Sequence, residues 1–72
     1  MSDQDLTTLE TYQLPYSRKA ELREASFDSG MKMLRLVLRE GRRITQVDMD
    51  ADIARAMANA MTAWADAQDQ GK

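Results

Sequence analysis

A chain of 72 residues with 43% hydrophobic and 31% charged content makes one small soluble-type domain, with room for only a thin core. It holds no Cys and no His, which excludes disulfides, thiolate metal sites and the commonest metal ligand and general base. Ten basic and twelve acidic residues leave a net charge of -2, unevenly spread: basic from Lys32 to Arg43, acidic from Asp48 to Asp69.

Residues 1–18 read as an N-terminal arm. They mix polar and acidic residues with Leu6, Leu9, Tyr12, Leu14 and Tyr16, and Pro15 blocks a continuous helix. A short turn of helix capped by Asp3 or Asp5 and a disordered tail are both compatible with this stretch. The tyrosines either side of "QLP" suggest an extended segment lying on an apolar surface. The acidic start lacks the basic residues and apolar run of a signal peptide, and no segment approaches the ~20 apolar residues of a membrane span. A cytoplasmic protein is expected.

Residues 19–68 read as a single ββ(β)α domain, with 69–72 as a frayed end. "KAELREASF" and "MKMLRLVLR" form two strands around the turn residues Asp28, Ser29 and Gly30. A three-residue loop pairs Phe27 with Met31 and Leu22 with Leu36, which keeps Leu34, Leu36 and Leu38 on one face; a one-residue slip would mix the faces. Gly41-Arg42 fits a two-residue turn with Gly first. The third strand, "RITQVDM", then sets Arg43 opposite Glu40, Val47 opposite Leu36 and Asp48 opposite Arg35. Asp50 is placed to cap a C-terminal helix with Asp52 in its first turn. Ile53, Met57, Ala60, Met61 and Trp64 recur along that helix at spacings of three and four.

The expected fold is therefore α+β: a three-stranded antiparallel meander with one helix covering the leucine face. That leaves a second, mixed face carrying Phe27, Met31, Met33, Val37 and Ile44, interleaved with Arg23, Arg35 and Arg39. Five apolar side chains exceed what a wet face requires, so a homodimer, the arm or another protein is expected to cover them. No nucleophile–base pair, phosphate loop or carboxylate cage is visible, so no cofactor or metal is expected and the chain reads as non-catalytic. The leading functional reading is a small interaction or accessory domain that homodimerises and docks on a larger protein. The alternative is a nucleic-acid-binding module, with Arg23, Arg35 and Arg39 on the sheet, Arg42 and Arg43 at the hairpin tip, and Phe27 as a stacking platform. A pI near 4.9 and a single aromatic on that face count against it.

The run "SGMKMLRLVLREGRRITQVDMDADIARAMANAMTAWAD", Ser29 to Asp66, resembles a family of small bacterial proteins with no assigned activity. The shared features are the "REGRR" turn and an aspartate-flanked helix ending in "WA". The resemblance implies a single domain and carries over no catalytic or binding residue. A looser likeness to transcription-coactivator-like modules is one of architecture only.

Overall fold

The computed structural model describes residues 4–70, which form four strands and one helix. The strands are β1 (Gln4–Leu14), β2 (Arg18–Phe27), β3 (Lys32–Glu40) and β4 (Arg43–Met49), followed by α1 (Ala51–Gln70). All pairings are antiparallel between sequence neighbours, in the order β1-β2-β3-β4.

The fold is α+β as expected, with one strand more. Most of the expected arm is β1, paired with β2 from Gln4↔Phe27 to Leu14↔Arg18. Pro15 does not interrupt an element; it lies in the three-residue turn between β1 and β2, where its missing N–H costs the ladder nothing. Tyr16 and Ser17 in that turn both adopt left-handed backbone, φ 64° and 61°, which bulky residues adopt only at a cost. A bulge interrupts β1: Thr8 faces Arg23 and Glu10 faces Leu22, leaving Leu9 unpaired. The cap considered at Asp3 lies outside the described residues. At the other end, α1 runs through Asp69 and Gln70, where a frayed end was expected; the expected stop at Gly71 lies outside the described residues.

The other registers agree with the sequence. Leu22 faces Leu36, Leu36 faces Val47, Arg35 faces Asp48 and Glu40 faces Arg43. In the β2–β3 turn Phe27 N–H donates to the Met31 carbonyl (2.9 Å) and Gly30 N–H to the Phe27 carbonyl (2.9 Å). Gly30, at φ 88°, takes the left-handed position that closes such a three-residue loop. At the β3–β4 turn Gly41 has φ 61° and Arg42 does not share its positive φ, the pattern of a turn that needs Gly first.

Asp50 alone links β4 to α1. Its Oδ1 accepts from Ile53 N–H (2.9 Å) and its carbonyl from Ala54 N–H (3.0 Å), so it caps the helix at both its side chain and its backbone. Eight of the twenty helix residues are alanine, which supports helix without much help from packing. That matters, because the helix meets the sheet chiefly at β3. Along residues 51–69 only Ala54 is half-buried, and every other residue is exposed. The expected cover of Val47 is therefore missing. The chain is 51 Å long with a radius of gyration of 14.6 Å, against about 11 Å for a compact domain of this length.

Candidate functional site

The strand period assigns the sheet residues to two faces. One carries Glu21, Arg23 and Ala25 of β2, Met33, Arg35, Val37 and Arg39 of β3, and Ile44 and Asp48 of β4. This is the mixed face. Its basic residues face one another across the β2–β3 pair, Arg23 opposite Arg35 and Lys19 opposite Arg39, which by itself is repulsive. Two carboxylates resolve the conflict. Arg35 donates from Nε to Asp48 Oδ1 (2.7 Å) and from Nη2 to Oδ2 (2.9 Å), a two-point pair. Glu21 accepts from Arg39 Nε (2.6 Å) and from Arg23 Nη2 (3.2 Å).

These bonds hold both acids in their charged form. The Arg39 hydrogen bond, then that of Arg23, keeps the Glu21 carboxyl below its ordinary range. The Arg35 hydrogen bond does the same for Asp48, and the reciprocal bond raises the Arg35 guanidinium. Val37 lies in the middle, flanked along β3 by Arg35 and Arg39 and across the sheet by Glu21 and Gln46. It is 1% exposed. Stems of long charged side chains laid over an apolar centre are enough to bury it. Arg23 Nε is buried with no hydrogen-bond partner among the described residues.

The five apolar residues expected to form an interface do not come together as one patch. Phe27 and Met33 are half-buried and Met31 is exposed, all near the β2–β3 turn. Ile44 is exposed and lies opposite Arg39, towards the other end of the face. Val37 between them is buried. Of the five candidate arginines, Arg23, Arg35 and Arg39 are tied to carboxylates. Arg42 and Arg43 are exposed at the β3–β4 turn and form no ion pair among the described residues. Glu40, which faces Arg43, pairs instead with Arg18 on its other side (2.9 Å).

The opposite face is buried at Ala20 and Met49, half-buried at its four leucines and open along its β4 edge. It carries Ala20, Leu22, Leu34, Leu36, Leu38, Val47 and Met49, extended onto β1 by Tyr12 and Leu14. Its two ends are marked by ion pairs, Arg18–Glu40 at one and Lys32–Glu24 (3.5 Å) at the other. Val47 is 49% exposed and Tyr12 is exposed. The helix stripe opposite is barer still: Met61 is 61% and Trp64 68% exposed. Between the first turns of α1 and the sheet lies an apolar groove of about 150 Å³, lined by Leu22, Leu34, Leu36, Met49, Met57 and Met61. That is below the roughly 300–1,000 Å³ of a small-molecule pocket and suits inserted side chains.

Sequence reasoning placed Met61 and Trp64 on the apolar stripe, and it treated the stripe as core. Helical spacing reports that a stripe is buried by something. It does not report by which chain.

Comparison with curated proteins gives no match, and comparison with solved structures gives none. No helix among the described residues is long and apolar enough to cross a membrane. The sequence model of a family of unknown function (DUF6967) matches residues 3–67, a span that takes in β1 as well as the stretch from Ser29 to Asp66. The chain belongs to that family.

Proposed function

We propose that this protein is a small non-catalytic interaction domain that homodimerises and, as a dimer, docks on a larger protein. One observation carries the reading: a helix stripe of Ile53, Met57, Met61 and Trp64 stands exposed beside a half-covered leucine face. Soluble monomers rarely leave so much contiguous apolar surface in water, and such patches mark protein contacts. The surface that self-association would bury differs from the mixed face expected from the sequence. The residues that support it are those of the leucine face and the helix.

A nucleic-acid role draws less support. It needs basic side chains free to neutralise phosphates, and three of the five candidate arginines are already bonded to carboxylates. The test is light scattering on the purified full chain, followed by affinity capture from host lysate with and without nuclease at two salt concentrations. A dimer that recovers one protein in near-equal amount, indifferent to nuclease, supports the reading. A monomer that recovers nucleic acid only at low salt overturns it.

A further inference from the structure

Building on the self-association proposed above, on which this geometry rests, we propose that two copies exchange their helices. In this arrangement α1 of each copy lies across the leucine face of the other, about a two-fold axis, with Met61 and Trp64 as the central contacts.

The chain exposes 5924 Å², whereas a compact monomer of 8.2 kDa exposes about 4,500 Å². The excess, about 1,400 Å² per chain, is well above the ~800 Å² per partner of a standard interface and falls in the range of obligate dimers. A second copy is the occupant whose size this excess fits, and the exposed Met61 and Trp64 give the surface its apolar character.

Symmetry then selects the arrangement. In a two-fold dimer a contact between patches i and j occurs twice, once in each direction. Two patches are unmatched here, the helix stripe and the leucine face with its β1 extension. Helix on helix would leave the leucine faces half-bare, and sheet on sheet would leave the stripes bare. Helix on the partner's sheet matches both patches with one contact used twice. The single-residue link at Asp50 sets α1 beside its own leucine face without closing on it: Met57 and Met61 line an open groove there and stay exposed.

Charge sets the direction. Asp66 and Asp69 lie in the distal part of α1, whose last turn has no basic residue, and the helix dipole adds negative character there. On the leucine face, the end near the β3–β4 turn carries Arg18 and Arg43 around the single carboxylate Glu40, while the other end pairs Lys32 with Glu24. The distal helix therefore belongs over the Arg18–Arg43 end of the partner. This gives the exposed arginine of the hairpin tip a role that its register partner Glu40, already paired with Arg18, does not supply.

The chain has one Trp and no Cys, so emission and engineered crosslinks report cleanly. Sedimentation of the full chain should show a dimer, with Trp64 emission shifting to the blue as concentration rises through its Kd. Met61→Glu should weaken the dimer by at least about thirty-fold, the loss typical of a central contact. Met61→Leu should retain it. Helical content should survive Met61→Glu, because that side chain is 61% exposed in the single chain. Mixing a Met61→Cys variant with a Tyr12→Cys variant should give a disulfide between the two different chains under mild oxidation. A dimer in which Met61→Cys crosslinks only to itself, or in which Met61→Glu has no effect, overturns the exchange and leaves self-association standing. A monomer at all concentrations, with Trp64 emission unchanged, overturns both.

Discussion

Val37 and Val47 lie on neighbouring strands of one sheet, yet Val37 is 1% exposed and Val47 is 49% exposed. Strand position makes much of the difference: β3 is an inner strand, whereas β4 is a sheet edge along which every residue but Met49 is exposed. Around Val37 the sheet closes itself with Glu21, Arg39, Arg35 and Asp48, whose charges bond to one another. Val47 has Leu36 across from it and Thr45 and Met49 beside it, with no strand beyond, so its outer side needs another surface laid on top. An inner strand flanked by paired charges can thus be finished within one chain, while the leucine face stays open along its edge. Counting apolar residues per face points the wrong way in such a sheet, because arginine stems do some of the covering.

The sharpest way to break this comparison is a matched pair of substitutions. Val37→Asp places an unpaired charge in the small buried centre and should cost about 3–5 kcal/mol, enough to unfold a domain this size. Val47→Asp should move the stability of the monomer by no more than about 0.5 kcal/mol while abolishing association. Denaturant melts of the two variants at a concentration too low for self-association check both. Equal losses would mean that the buried inner position and the open edge position are not different in kind.

Glu21→Gln comes next in expected size. It leaves Arg23 and Arg39 without their shared charge, so the melting temperature should fall, though less than for Val37→Asp. The same substitution tests the acid response. Glu21 and Asp48 have folded pKa values below their ordinary ones. Their stabilisation is therefore present above the ordinary carboxylate range and is lost as pH falls from there through the lowered values. Thermal melts across that window should show a steep loss for the parent chain and a shallower one for Glu21→Gln. An identical slope would mean that Glu21 does not hold the mixed face.

Asp50→Ala removes the side-chain cap of α1 and should cost about 1 kcal/mol, read as reduced helical circular dichroism with the sheet signal retained. That outcome would confirm that helix and sheet are nearly independent in the single chain. The smallest effect expected is a gain. Ser17→Gly relieves left-handed backbone in the β1–β2 turn and should stabilise the sheet by about 0.5 kcal/mol, the difference between the strain removed and the chain entropy added.

Much of the fold was legible in the sequence because period-two alternation and glycine placement act locally. The turns at Gly30 and Gly41 are set by adjacent residues, and strand alternation outward from them gives Leu22↔Leu36 and Arg35↔Asp48. β1 was not legible, and the bulge explains why. Leu6 lies on the mixed face, opposite Ala25, whereas Tyr12 and Leu14 lie on the leucine face; the extra residue at Leu9 reverses the alternation between them. The apolar spacing then fits neither a strand nor a helix. Which face stays open was also hidden. That depends on how far arginine stems reach across strands and on where the helix departs after Asp50, and neither is written in a residue pattern.

The meander has a kinetic consequence. Every strand pairs with its neighbour in sequence across a turn of a few residues, so the sheet needs no crossover and builds hairpin by hairpin. Each new strand adds to the edge left by the one before, so the sheet can be complete without the helix. The helix adds little to that step, since it touches little of its own sheet. Its burial becomes a second-order event, whose rate is set by how often two finished sheets meet. At low expression the free stripe should persist for longer than folding takes, and this domain's abundance would then govern how much of it is closed.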